Sequence, residues 1–263
     1  MCAMKLKAVK AKHGDALILT ASGATVLIDG GPSTVYNDFL KDHIEAIGDG
    51  AEPPTIDLMM VSHIDSDHIQ GILDLTSDMI DANEEEMRPP AVITRAWLNS
   101  FSDTLVKIGV DTRQESTANS ASLASSIDED DDLAESVNDH TKLVLSSVRQ
   151  GRNLRRDLKT LSIPINLRFE NHMAIAGAND TPWTQGELSI SVIGPTKKEV
   201  EKLKKRWKKD LEKIKKKEAD KNAAAASLDT SVFNLSSIVC IAEAGGKSIL
   251  LTGDARGDIV LDW

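Results

Sequence analysis

Short apolar runs separated by turn residues fill the N-terminal third of the chain. Leu6 to Val9, Ala16 to Thr20 and Thr25 to Ile28 are set apart by His13-Gly14-Asp15 and Ser22-Gly23, which predicts three closely spaced strands. From Thr34 to Ile47, residues Val35, Phe39, Leu40, Ile44 and Ile47 fall at helical spacing. Ile56 to Val61 is apolar at nearly every position, the pattern of a strand covered on both faces. Ile69, Ile72, Leu73, Leu75 and Ile80 then predict a helix, and Ala91 to Leu98 a further strand.

Between Ser100 and Asp132 hydrophobic residues thin out and Ser, Thr, Asp, Glu and Asn dominate, so the stretch from about 99 to 132 reads as a polar, acidic insertion or exposed lid. Leu133 to Leu161 regains helical character, with an expected break at Gly151, and carries Arg149, Arg152, Arg155, Arg156 and Lys159. Ile163 to Phe169 and Glu187 to Ile193 read as strands. Residues 197–221 form a predicted basic helix with a thin apolar stripe of Val200, Leu203, Trp207, Leu211 and Ile214. Ser236 to Ala242 and Lys247 to Leu251 make a hairpin around Gly245-Gly246. The order of elements is that of an α/β protein with mostly sequential pairing, read as a single domain over residues 1–263.

Composition narrows the function classes. Only 3% of residues are aromatic, so stacking platforms for nucleic-acid bases are scarce. Net charge is −10, yet the 197–221 stretch alone carries a surplus of +7. An acidic body with one basic helix is not a general nucleic-acid binder, although that helix offers a local phosphate-holding surface. Cys2 and Cys240 lie at opposite ends of the chain, which argues against a disulfide framework and for a packing role at Cys240. No signal-type leader or run of eighteen apolar residues appears, so the expectation is a cytoplasmic protein without a membrane span.

The densest chemistry follows the apolar run ending at Val61. His63-Ile-Asp65-Ser-Asp67-His68 gathers two imidazoles and two carboxylates within six residues where a buried strand should end. Such a loop suits Zn²⁺, Mn²⁺ or Fe²⁺, because a strand end holds ligands rigidly. The stretch resembles the HxHxDH signature of the metallo-β-lactamase superfamily, with Asp65 where the second histidine usually stands. Val26-Leu-Ile-Asp29-Gly30-Gly31, Leu188 to Pro195, Asn234-Leu-Ser-Ser237-Ile-Val239 and Ile249-Leu-Leu-Thr-Gly253-Asp254 resemble further blocks of that superfamily in the expected order. Together they are similar to the branch containing the hydrolase domain of bacterial DNA-uptake (competence) proteins. The region from about 99 to 186 is not covered by the resemblance.

The resemblance implies a four-layer αββα sandwich and one or two divalent ions, Zn²⁺ or Mn²⁺. His63 and Asp65 would serve a first position and Asp67 and His68 a second, Asp254 would bridge, and Asp67 would also take part in catalysis. Asp29 would orient the metal loop, or simply begin an Asp-Gly turn. Asn234 and Ser237 would hold the site or a substrate oxygen, or only cap a strand. His172 is a candidate extra ligand, while His13, His43 and His140 have simpler explanations as turn, helix and cap residues. Asp65 adds a hard oxygen and shifts preference toward Mn²⁺, Mg²⁺ or Fe²⁺. The family's terminal histidine turn has no counterpart before Trp263, so the chain is expected to lack a C-terminal part and, in this 263-residue form, to be weakly active or inactive. The implied function is hydrolysis of a phosphodiester, nucleic acid or nucleotide, by a metal-bound hydroxide. Its alternatives are a regulatory module with an incomplete site, whose acidic insertion docks a protein partner, and a hydrolase of a small ester, thioester or lactam.

Overall fold

The computed structural model describes residues 4–48, 50, 52–100, 139–179, 181–203, 205, 236–255 and 257–260. Its first sheet begins as a meander in which β1 (Lys5–Ala8), β2 (Leu17–Ala21) and β3 (Ala24–Ile28) pair antiparallel in succession. β5 (Leu58–Met60) then adds in parallel to β3, and β7 (Ala96–Trp97) in parallel to β5. β3 and β5 are buried at every position, which is why their sequences show no polar alternation. β4 (Thr55–Ile56) and β6 (Val92–Ile93) form a separate parallel pair. The apolar runs 56–61 and 91–98 are therefore each divided between two ladders. Asp57 makes the first division, its carboxylate accepting the Thr25 N–H at 2.8 Å.

The second sheet is antiparallel throughout, in the order β11-β10-β9-β8. β8 (Trp183–Gln185) and β9 (Leu188–Gly194) precede the hairpin of β10 (Val239–Ala244) and β11 (Lys247–Leu251). Gly245 and Gly246, at φ 56° and 73°, supply the two left-handed residues that a type I′ turn needs between Ala244 and Lys247.

Alternate residues of the central strands face two different cores. Leu27 and Met59 join Ile69, Ile72 and Leu75 of α2 (Ser66–Glu84) and Leu154 and Leu158 of α3 (Asp139–Thr160). Val26, Ile28, Leu58 and Met60 instead face Leu188, Ile190, Cys240, Ala242 and Leu251 of the second sheet. Helices, first sheet and second sheet thus stack in that order among the described residues. Cys240 is fully buried, its sulfur 3.7 Å from that of Met60, and burial pushes its thiol pKa up. It is a packing residue. No helix among the described residues is long and apolar enough to cross a membrane.

Several elements differ from the sequence expectation. α3 runs unbroken through Gly151, because the missing side chain there lets the helix approach the loop between β5 and α2: a Cβ would lie 3.2 Å from Ile64 Cγ2. Ile163 to Phe169 is not a strand. Only Ile165 bridges, to Ala96, before Asn166 turns the chain at φ 53°. The helix expected over 34–47 opens as a π-helical turn (Tyr36–Leu40) that continues into α1 (Lys41–Glu45). Tyr36 and Lys41 bind Asp78 of α2 at 3.0 and 2.8 Å, fastening this segment to the helix that carries His68. β8 lay in a stretch where no strand was expected. Asn99, expected at the start of the insertion, belongs to the core: its amide exchanges hydrogen bonds with the Ala174 backbone at 2.8 and 3.0 Å. The remainder of the acidic insertion (101–132), the first residues of the expected helix (133–138) and most of the basic stretch (204 and 206–221) lie outside the described residues. Residues 197–203 are helical, and Leu203 joins the helix-side core.

Candidate metal centre

β5 ends at Met60, and the loop 61–65 carries the chain over the end of the first sheet into α2. Asp65 is the residue before that helix, in extended conformation at φ −68°, ψ 145°. His63 and Asp65 therefore project from the loop, while Asp67 and His68 project from the first helical turn. The turn after β3 meets the same place. The Gly30 N–H donates to His68 O at 2.7 Å, and the Gly71 N–H to Gly31 O at 3.1 Å. A Cβ on Gly71 would lie 2.0 Å from Gly30 O, so this approach of two backbones excludes any side chain.

Asp29 organises the imidazoles. It is fully buried and accepts the Ser62 N–H at 2.7 Å, the Ser62 hydroxyl at 2.6 Å and the His68 Nδ1–H at 2.9 Å. Ser62 spends its one hydroxyl proton on Asp29, so its 3.0 Å contact with His63 Nδ1 assigns the ring as the donor there. Both histidines are thus held with Nδ1–H engaged and Nε2 turned the other way. Both Nε2 atoms are buried without a hydrogen-bond partner, and the two ring centroids are 4.1 Å apart. Two buried, orphaned imidazole nitrogens side by side are costly unless something binds them.

Carboxylates close the ring around them. His63 Nε2 lies 3.5 Å from Asp65 Oδ2 and 3.9 Å from Asp254 Oδ2. His68 Nε2 lies 3.6 Å from Asp254 Oδ1 and 4.0 Å from Asp67 Oδ1. Asp254 arrives from the second sheet, just beyond β11, where Gly253 at φ 49° passes so close that a Cβ would meet Ser62 Oγ at 2.8 Å. His63, His68 and Asp254 offer ligand atoms all within 4.8 Å of one another. Burial opposes protonation of His68, but the Asp29 hydrogen bond and the Asp29, Asp67 and Asp254 carboxylates outweigh it and raise its pKa to about 9. The donors fit a divalent cation: two imidazoles with their other nitrogens fixed, and several carboxylates whose mutual repulsion a dication offsets.

The five residues singled out as ligands from sequence, His63, Asp65, Asp67, His68 and Asp254, thus lie together, with Asp29 beneath them. Ser237 is nearby, its buried hydroxyl without a hydrogen-bond partner, and a Cβ added to Gly253 would lie 3.6 Å from its own. Asn234 lies outside the described residues. His172 does not join the cluster; it is exposed, at φ 54° on a 3-10 turn (Glu170–His172), and belongs to no ligand group among the described residues. One residue was missed. Asp15, read only as part of a turn, forms a second group with Asp29 and His68 whose ligand atoms also lie within 4.8 Å of one another. Burial pushes its carboxyl above the usual carboxylate range; His68 pulls it back, and Asp29 and Asp254 push it up further. Its adjacency to Gly14 was the available signal, but nothing local ties residue 15 to residue 68.

No protein-family profile matches the chain, and no curated protein matches it. Solved structures similar to it have the metallo-β-lactamase fold. A metallo-β-lactamase with a HARLDQ motif from Cronobacter sakazakii (Enterobacter sakazakii) is 17% identical at a TM-score of 0.32, over 72% of this chain and 49% of that one. A HARLDQ-motif mutant from the same organism is 18% identical at 0.30, over 72% and 50%. The hydrolase AbOPH of the β-lactamase superfamily is 13% identical at 0.30, over 69% and 52%. The chain spans about half the length of these proteins.

Proposed function

We propose that this protein is a metal-dependent hydrolase of the metallo-β-lactamase type, with an αββα layering, acting on a phosphodiester. The observation that carries the reading is the pair of buried, partnerless Nε2 atoms of His63 and His68 converging on Asp254. His63, Asp65, Asp67, His68 and Asp254 would hold one or two divalent ions. Bound there, such an ion supplies Lewis-acid polarisation of a phosphoryl oxygen and lowers the pKa of a water.

The chain's own groups do the rest. Asp29 keeps both imidazoles in one tautomer and orientation, directly at His68 and through Ser62 at His63. Asp67 and Asp254, with side chains 36% and 47% exposed, form the open side of the centre where substrate enters. Asp67 would take a proton from the attacking water, and the Ser237 hydroxyl would hold the site or a substrate oxygen. A phosphate substrate is favoured by a groove of about 570 Å³ lined by Arg152, Arg155, Arg156 and Lys159 of α3 together with Ser162 to Ile165. Those cations lie on the helix whose Gln150 bonds Ser66 at 3.3 Å at the start of α2, so basic surface extends away from the centre along α3.

The test is elemental analysis of the purified chain together with turnover of bis-p-nitrophenyl phosphate in Mn²⁺ or Zn²⁺. Bound metal that His68→Ala removes is the expected result, with at most slow hydrolysis that the same variant abolishes. Turnover of p-nitrophenyl acetate or a lactam instead, with metal bound, would overturn the phosphodiester assignment. Absence of bound metal would overturn the hydrolase reading as a whole.

A further inference from the structure

The turn between β1 and β2 reaches the metal centre although it holds none of the motif residues. Gly14, at φ 68°, presses against the first turn of α2 so closely that a Cβ there would lie 1.9 Å from Asp67 O. The Gly31 N–H donates to Asp15 O at 2.8 Å, tying the same turn to the loop that carries Asp29. Asp15 is thus held by two backbone approaches, one to each side of the centre. Its half-buried side chain lines a cavity of about 150 Å³ shared with Asp29, Ser62 and Gly253, in the cleft between the two sheets.

The carboxylates around His68 are not equivalent. Asp29 already accepts three hydrogen bonds and is committed to holding the imidazoles. Asp15 offers a ligand atom within 4.8 Å of those of Asp29 and His68, and its carboxylate makes no hydrogen bond or ion pair among the described residues. A cluster of acids alone would mean little. Here the group includes His68, whose Nε2 is buried without a partner. A carboxylate without a hydrogen bond, held by rigid backbone within 4.8 Å of a ligand atom of that imidazole, has the disposition of a ligand rather than of a solvated turn residue.

We propose that Asp15 is itself a metal ligand, adding beside His68, on the Asp29 side of the centre, an oxygen donor for a hard divalent cation of the Mn²⁺ type. The inference rests on the metal-dependent reading above and adds a ligand from outside the loop motif. A fourth carboxylate, beside those of Asp65, Asp67 and Asp254 and the two imidazoles, moves the donor set toward hard oxygen, which favours Mn²⁺ over Zn²⁺.

Mn²⁺ binding to the full chain, followed by calorimetry and by loss of the free-ion electron paramagnetic resonance signal, tests it. Asp15→Asn keeps the shape of the side chain. It is expected to lower Mn²⁺ affinity about tenfold or more, or to remove one ion per chain. Asp15→Cys supplies a readout that a merely structural residue would not give. Made in a Cys2→Ser background, where buried Cys240 is the one other thiol, it should show with Cd²⁺ a thiolate-to-cadmium charge-transfer band that the same background without the Asp15 change lacks. Mn²⁺ binding by Asp15→Asn equal to that of the parent would overturn the proposal and leave the metal reading standing. Weakened Mn²⁺ binding without the cadmium band in Asp15→Cys would also overturn it, since Asp15 would then act only through its charge. If the parent binds neither Mn²⁺ nor Zn²⁺, the proposal and the metal reading fall together. Should Asp15→Asn not fold, the cadmium band in Asp15→Cys decides alone.

Discussion

Asp29 adopts a left-handed backbone conformation, φ 55°, and then leads into Gly30. Few side chains other than Asp and Asn tolerate that conformation, and of these only Asp carries the charge that the His68 hydrogen bond uses. The consequence is a pH-dependent stability. In the absence of metal, His68 titrates near 9 in the fold against about 6.5 in an unfolded chain, so its protonation stabilises the folded state. That stabilisation, on the order of 3 kcal/mol, is fully present below pH ~6.5 and is lost as pH rises through about 9. Chelator-treated protein should therefore show a falling denaturation midpoint across that window. Asp29→Asn, which keeps the backbone and removes the charge, should lower the midpoint at pH 6 and flatten the decline. Metal binding has the opposite dependence, because the ion displaces the His68 proton: affinity rises over the same window and binding releases protons.

At the scale of elements, two glycines on neighbouring helices separate two uses of a missing side chain. Gly71 lies in α2, where an added Cβ would be 2.0 Å from the Gly30 carbonyl, a rigid backbone atom. Gly151 lies in α3, where the added Cβ would be 3.2 Å from a methyl of Ile64, a side-chain atom that need give by only a few tenths of an ångström. Alanine at either position gains about 1 kcal/mol of helix propensity, so the propensity term cancels in the comparison. Gly71→Ala is expected to lose about 3 kcal/mol or more and to disturb metal binding, because α2 must move away from the Asp29 turn. Gly151→Ala is expected to stay within about 1 kcal/mol of the parent. Urea denaturation of both variants checks the contrast, and equal losses would show that the α2 contact is not the tighter constraint.

The centre also has a role at the scale of the whole molecule. Asp254 follows the last strand of the second sheet, while His63 and His68 follow the first, so one ion would clamp the two sheets together across their shared core. A ligand bound only by the folded state stabilises it by about 2.7 kcal/mol at one hundred times its dissociation constant. For a chain of this length that corresponds to a rise of roughly 5 to 10 °C in the thermal midpoint. Calorimetry with and without Mn²⁺ should show that rise and its loss on chelation. In Asp254→Asn the rise should shrink while the metal-free midpoint changes little, since Asp254 is about half exposed. An unchanged metal-induced rise in that variant would place the ion elsewhere.

What was legible in the sequence is what local pattern controls. Full burial makes β3 and β5 continuous apolar runs, the paired glycines demand a tight hairpin, and periodicity marks α2. His63, Asp65, Asp67 and His68 are close in space because they are close along the chain, at the junction of a strand end and a helix start. The resemblance of short blocks to a known superfamily was needed to add Asp254 and Asp29, which no periodicity connects to residue 63. Other features were set by contacts between residues distant in sequence. Gly151 looked like a helix break and is instead the point where α3 fits against Ile64. Ile163 to Phe169 looked like a strand, but Asn166 binds Leu98 and His172 through its side chain and turns the chain away. Asp15 looked like an ordinary turn residue. Only when the turn after β1 is pressed onto α2, with Gly14 against the Asp67 carbonyl, does its carboxylate come within reach of His68. Composition and spacing determine which segments are strands and helices, because those preferences act over a few residues. Which carboxylates share an ion is decided by backbone-to-backbone approaches across the whole chain, and those exist only once the sheets and helices have packed.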